Sequence, residues 1–150
     1  MKTYSIGEVS KMLHISISTL RYYDKEGLLR DVERTAGGIR IFKDKDIRHL
    51  NLMECLKRTG MSLKNIRQYF DWCEQGDSTI KQRHELFIQQ QELLEQQIKD
   101  LTDSLDLVKY KRELYRIAEE EHTLDSPKLL ILKETASKKS DYVKGLVEED

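Results

Sequence analysis

The residues best suited to chemistry lie close together near the start of the chain, in the stretch ISISTLRYYDKEG spanning positions 15–27. At 100° per residue, a helix over this stretch sorts into two faces. Ser18, Arg21, Tyr22 and Lys25, spaced i, i+3, i+4, i+7, share an outward arc, and Ile17, Leu20 and Tyr23 share an inward one. The outward arc carries two cations, a phenol and a hydroxyl, and no acid. Such groups suit phosphate oxygens and base edges, at the spacing a helix needs to follow a groove. A second candidate is Cys55. Leu50, Met53 and Leu56 define the apolar arc of its helix, and Cys55 falls outside it, with Arg48, Asn51, Arg58 and Thr59 as angular neighbours. Two guanidiniums within a turn or two suit a reactive thiol. The plainer alternative is a small, half-buried residue with no role. Cys73 continues the apolar stripe of Leu63, Ile66 and Phe70, so it reads as core.

Several elements must position these groups. Ser5 followed by Glu8 is a capping box opening a helix that carries Val9, Met12 and Leu13. His14 and Ile15 make a tight turn, and Ser16 caps the helix already described, which Gly27 ends. Two short helices so joined form a helix-turn-helix, whose second member enters the major groove. Residues 28–42 hold Gly37-Gly38 between extended runs and read as a β-hairpin, a wing with Arg34 and Arg40 on its two strands. Both arginines could reach the adjacent backbone or minor groove. Asp44 is expected to cap a helix to about Thr59, and Ser62 a further helix stopped by Gly76.

Asp77 or Ser78 should then begin one long helix, because no Gly or Pro occurs between Asp77 and Ser126. Its 4-3 alternation from Ile80 runs through His84, Phe87, Gln91, Leu94, Ile98, Leu101, Leu105, Val108, Arg112 and Tyr115. So small a head cannot bury such a stripe, and a second copy of the chain is the simplest partner. Pro127 marks a break, and the tail holds one apolar cluster, Leu129–Leu132, whose packing the sequence leaves open. The expected organisation is a DNA-binding head over 1–76, a dimerisation helix over 77–122 and a tail over 123–150. The fold class is mainly α, a winged helix-turn-helix head followed by a coiled-coil helix.

Charge supports the division. Residues 1–70 carry a net charge of +6 and residues 71–150 a net of −7, which the overall −1 conceals. A basic head joined to an acidic remainder suits a polyanion binder with a part that stays clear of the polyanion. Two cysteines are too few for a disulfide framework or a zinc module. The beginning of the chain lacks a signal-peptide run and no aliphatic run spans a bilayer, so a cytoplasmic protein is expected. No phosphate loop, paired carboxylates or nucleophile–His set points to an enzyme. His14, His49, His84 and His122 are scattered without metal-ligand spacing, and no cofactor is called for. A constitutive architectural binder and a pure coiled-coil interaction protein remain the competing classes, the outward face of residues 18–25 arguing against the second.

Read together, Ile6-Gly-Glu-Val, Thr19-Leu-Arg-Tyr-Tyr-Asp, Gly27-Leu-Leu, Gly38-Ile-Arg-Ile-Phe and Gly60-Met-Ser-Leu-Lys-Asn-Ile resemble the N-terminal domain of MerR-type transcriptional regulators, over residues 3–76. The resemblance implies a homodimer joined by an antiparallel coiled coil, with two winged heads on a palindromic promoter between hexamers set unusually far apart. Bending and untwisting that DNA would align the hexamers for RNA polymerase. Carried over by position, Ser18, Thr19, Arg21 and Tyr22 would contact groove and phosphates, with Arg40 the wing's phosphate contact and Tyr23 core. The chain departs from the pattern at Asp31, where many members have Pro, and at Ile39 and Phe42, where Tyr is usual.

Metal-responsive members of the family place cysteines along the long helix, whereas this chain has none after Cys73. Some thirty tail residues cannot make a large drug-binding domain, and an iron–sulfur cluster would need about four cysteines. Cys55 sits where a thiol-based branch, AdhR- and NmlR-like, carries its aldehyde- and electrophile-responsive cysteine, and the flanking Met53-Glu-Cys-Leu-Lys-Arg-Thr-Gly60 resembles that branch. The resemblance therefore implies an electrophile or nitrosative-stress sensor. A small-molecule effector, or none, is the alternative.

Overall fold

The computed structural model describes residues 2–147. Near the start, the Ser5 hydroxyl accepts the Glu8 amide at 3.3 Å and the Glu8 carboxylate accepts the Ser5 amide at 2.7 Å. This reciprocal box opens α1, Ile6–Leu13. His14, at φ 55°, turns the chain, and Ser16 then caps α2, Ile17–Lys25, by accepting the Thr19 amide at 3.1 Å. Helix α2 ends in a Schellman motif: Gly27 takes φ 74° and the Leu28 amide reaches the Tyr23 carbonyl at 2.9 Å. A side chain at position 27 would be strained by that positive φ.

The wing is a real hairpin but belongs to a larger sheet. Strand β1, Thr3–Tyr4, pairs antiparallel with β3, Arg40–Lys43, and β3 pairs with β2, Glu33–Arg34, giving the order β1-β3-β2. Two-residue β1 carries no periodicity of its own, and its pairing was not legible beforehand. Strand β3 runs straight into α3, Asp44–Arg58. The expected cap at Asp44 is therefore one residue off. Lys43 is the N-cap, with φ −115° and ψ 170°, and Asp46 accepts its amide at 2.8 Å. Asp44 instead accepts the Tyr4 hydroxyl at 2.9 Å. Ser62 opens α4, Leu63–Gln75, as expected.

The chain divides into two compact units, Met1–Gln90 and Gln91–Asp150. The core of the first gathers Val9 from α1, Leu20 and Tyr23 from α2, Phe42 from β3, Leu50 and Met53 from α3 and Ile66 from α4, all essentially inaccessible to solvent. Phe42, a departure from the family's usual Tyr, is thus a core residue, while Ile39 is exposed at the hairpin loop. Ile17, expected inward, is 37% exposed. It is the first residue of α2 and lies at the end of the inward arc, beyond the packed layer.

The long helix α5 runs Ile80–Glu121, 42 residues. It starts later than expected, because Gly76–Thr79 forms a 3-10 turn pinned by the Thr79 hydroxyl, which donates to the Gly76 carbonyl at 2.9 Å. His122, at φ 56°, ends it. In the second unit the tail is helical: α6 is Pro127–Lys139 and α7 is Asp141–Val147. Pro127 does more than mark a break. It is the first residue of α6, behind a Ser126 cap, where its missing N–H costs nothing. Tyr110, Val143 and Val147 form a small core there, with Leu107, Leu114, Leu132 and Ala136 packed against it.

Candidate nucleic-acid interface

On α2, Ser18, Arg21, Tyr22 and Lys25 all face solvent, as the arc predicts. Thr19 is half-buried, and its hydroxyl lies 2.7 Å from that of Ser16, which is also 3.0 Å from the Ser18 hydroxyl. Three hydroxyls thus cluster at the amino end of the helix. Among the described residues, Arg21 and Lys25 have no hydrogen-bond or ion-pair partner, so their cationic ends stand available.

Arg34 and Arg40 lie on β2 and β3, the two strands of the hairpin, and neither guanidinium is without a partner. The register sets Arg34 directly opposite Arg40 across the hairpin. Like charges so opposed repel. Asp24 of α2 resolves the conflict with a single oxygen. Its Oδ2 accepts Arg34 Nη2 at 2.6 Å, Arg40 Nε at 2.8 Å and Arg40 Nη2 at 2.7 Å. Lys43 and Glu33 add a further pair across the same two strands. Asp24 gave no sequence signal beyond being an acid just off a basic arc.

Behind α2 lies a polar bridge to α3. The buried Tyr23 donates its hydroxyl to Glu54 Oε1 at 2.7 Å and accepts from Lys57 Nζ at 2.8 Å. Burial pushes the Tyr23 phenol above its ordinary value near 10, and the hydrogen bond to that phenol raises the Lys57 ammonium. Glu54 and Lys57 share a helix face at i, i+3, a spacing visible in the sequence, although nothing there says what they hold.

Cys55, on another side of α3, is an exposed free thiol. One turn further on, Thr59 accepts Gln90 Nε2 at 2.8 Å on its carbonyl and at 3.1 Å on its hydroxyl. The buried Gln90 thereby fastens α5 to the end of α3, a contact the heptad reading missed because Gln90 lies off the seam. Cys73 is partly buried. It lines a cleft of about 320 Å³ with Leu28, Val32, His49 and Phe70, where His49 stacks on Phe70 at 3.9 Å between ring centroids. In the second unit, Leu129 and Leu130 face Tyr110 and Tyr115 across a groove of about 560 Å³. Among the described residues no group of three or more His, Cys, Asp or Glu could hold a metal ion, and no helix is long and apolar enough to cross a membrane.

A capped helix pair, a basic outward arc on its second member and a hairpin wing fixed beside it define a winged helix-turn-helix DNA-binding head. Two family profiles match this chain, "MerR HTH family regulatory protein" over residues 4–72 and "MerR, DNA binding" over residues 47–108. An uncharacterized HTH-type transcriptional regulator of Haemophilus influenzae is 45% identical over 116 residues, covering 77% of this chain and 86% of that one. A crystal structure of HiNmlR, described as a MerR family regulator lacking the sensor domain and bound to promoter DNA, superposes with a TM-score of 0.73 at 41% identity, over 84% of this chain and 98% of that one. The regulator AdhR of Bacillus subtilis is 29% identical over 90 residues, 60% of this chain and 64% of its own. The chain belongs to the MerR family and is a DNA-binding transcriptional regulator. These relatives are regulators of transcription, and the chain is not an enzyme.

Proposed function

We propose that this protein works as a homodimer on a palindromic promoter, activates by distorting the DNA for RNA polymerase, and is switched through Cys55. The observation that carries the dimer is the bare seam of α5. Ile98 is 63% exposed and Leu101 71%, and Leu105, Val108 and Tyr115 are exposed with them, all at the 4-3 spacing. Such a stripe is stable in water only when another helix covers it, and a second copy gives the two-fold symmetry that a palindrome mirrors. On each head, Ser18, Thr19, Arg21, Tyr22 and Lys25 contact groove and backbone, with Arg34 and Arg40 reaching the flanking backbone from the wing. Most of these groups suit phosphates better than base edges, so the protein grips and deforms DNA more than it reads it. Its working place is the cytoplasm, where promoter and polymerase are.

For the switch, three observations support Cys55. Its thiol is exposed. It lies one turn from Thr59, which holds Gln90, the eleventh residue of α5. It also shares α3 with Glu54 and Lys57, which hold the recognition helix through Tyr23. An adduct at Cys55 would act on α3 close to both of these contacts. Electrophiles such as aldehydes, or nitrosating agents, are the effector class, in keeping with the AdhR and NmlR names among the relatives. The test is a promoter fusion challenged with formaldehyde or methylglyoxal, alongside mass mapping of the adduct. Induction by Cys55→Ser equal to that of the native chain would end the sensory role. The groove between α5 and α6 favours the alternative, a small apolar effector, and retained induction by that variant would move the search there.

A further inference from the structure

We propose that Asp24 is a positioning residue for DNA binding, holding Arg34 and Arg40 of the wing so that their remaining N–H groups meet the phosphate backbone. The proposal rests on the reading that the wing arginines touch DNA. An acid on the edge of a DNA-facing helix is at first sight a liability, since it repels the polyanion. Three observations turn that around. First, the strand register opposes Arg34 and Arg40 directly, an arrangement that repels unless an anion is shared between them. Second, that anion is present: Asp24 Oδ2 takes three N–H donors from the two guanidiniums, at 2.6, 2.7 and 2.8 Å, and its side chain is only 19% exposed.

Third, the donors left over point to a use. Arg40 spends Nε and Nη2 on Asp24 and keeps Nη1. Arg34 spends Nη2 on Asp24 and makes only a long 3.4 Å contact from Nη1 to the Gly38 carbonyl. Each guanidinium is thus fixed by one edge with another edge free, and a fixed arginine has already lost the rotamer freedom that phosphate binding would otherwise take from it. Helical geometry puts Asp24 about 60° round α2 from Arg21, on the side away from Tyr22. The shared carboxylate therefore sets the wing cations beside Arg21, extending the basic arc of the recognition helix onto the sheet.

Charge alone and positioning predict opposite signs for one substitution, which makes the test decisive. The duplex that the full native chain selects from a random pool is labelled, and binding is titrated by fluorescence anisotropy at several salt concentrations. If Asp24 were only a negative charge near phosphates, Asp24→Asn would bind more tightly. Positioning predicts roughly tenfold weaker binding, from two arginine side chains that must now be ordered on contact, and a shallower salt dependence as their phosphate contacts loosen. Asp24→Glu keeps the charge but moves the oxygen by one methylene, and should fall between native and Asp24→Asn. In an Arg34→Ala/Arg40→Ala background, the added Asp24→Asn should weaken binding no further. Native or tighter binding by Asp24→Asn would overturn the proposal, as would the same loss in the arginine-free background. Should Asp24→Asn fail to fold in a far-UV melt, native-like binding by Asp24→Glu would overturn it. Native binding by the arginine-free protein would instead refute the wing contact itself, which separates the two failures.

Discussion

Replacing Leu101 by Gln tests the proposed homodimer. Leucine and glutamine have similar helix propensities, so α5 should stay helical while its seam loses an apolar contact. Leu101 is 71% exposed in the single chain, which means most of a leucine side chain is available for burial by a partner. Fully burying such a side chain contributes about 1.5–3 kcal/mol, and the exposed fraction scales this to about 1–2 kcal/mol per copy. Symmetry counts each substitution twice, so association should weaken by about 2–4 kcal/mol, roughly 30- to 1,000-fold in the dissociation constant. Sedimentation equilibrium over a wide concentration range measures that constant, with far-UV circular dichroism to confirm helix content. Gln96→Ala, on the other side of the helix, serves as a control and should leave association unchanged. Native-like association of Leu101→Gln, or a native chain that stays monomeric at every concentration, would refute the seam as the dimer interface.

Ser16→Ala removes the cap of the recognition helix and should cost about 1 kcal/mol, read from the urea midpoint with an unchanged slope. Val9→Ala opens a void between α1 and the buried core and should cost about 1–3 kcal/mol in the same assay, and a neutral result would contradict the packing given for the head. The pH dependence follows from Tyr23 and Lys57. Both are raised in the fold, so their contribution is present below about pH 10 and is lost as the pH climbs through the folded values. Thermal melts between pH 8 and 11 should show stability falling at the alkaline end, and Tyr23→Phe should flatten that fall. A steeper fall in Tyr23→Phe would contradict the assignment.

Much of the head was legible because its signals are local. Ser5 with Glu8, Ser16 and Ser62 each satisfy amides within three residues, so their sequence spacing already fixes where the helices begin. The outward arc of α2 follows from the same short-range geometry. What escaped reading depends on distant partners or on junctions. Asp44 lies one residue past the cap because β3 meets α3 with no intervening loop, and the last strand residue takes the cap position. Asp24 meets Arg34 and Arg40 across 10 and 16 residues of chain, and no periodicity encodes such a meeting. Gln90 is polar and off the seam, which gives no sign in the sequence that it is buried against Thr59, 31 residues earlier. The tail's helices were obscured for a different reason: α6 leaves both Leu130 and Ile131 exposed, so its apolar residues do not trace one clean stripe.

The α5 seam also bears on fidelity of pairing. Aliphatic side chains such as Ile98, Leu101, Leu105 and Val108 attract any other apolar stripe equally well and say nothing about whose stripe it is. A cell that makes several regulators of one family would assemble mixed pairs, each with mismatched heads, if the seam were aliphatic throughout. The polar residues at seam spacing, His84, Gln91 and Arg112, break that equivalence. Across from a foreign aliphatic side chain each would lose water without gaining a partner on the facing helix, at a cost that a chain with a matching polar position avoids. In the proposed homodimer, the contacts that weaken the seam are therefore the ones that would keep its two heads identical, and with them the symmetry of the DNA site.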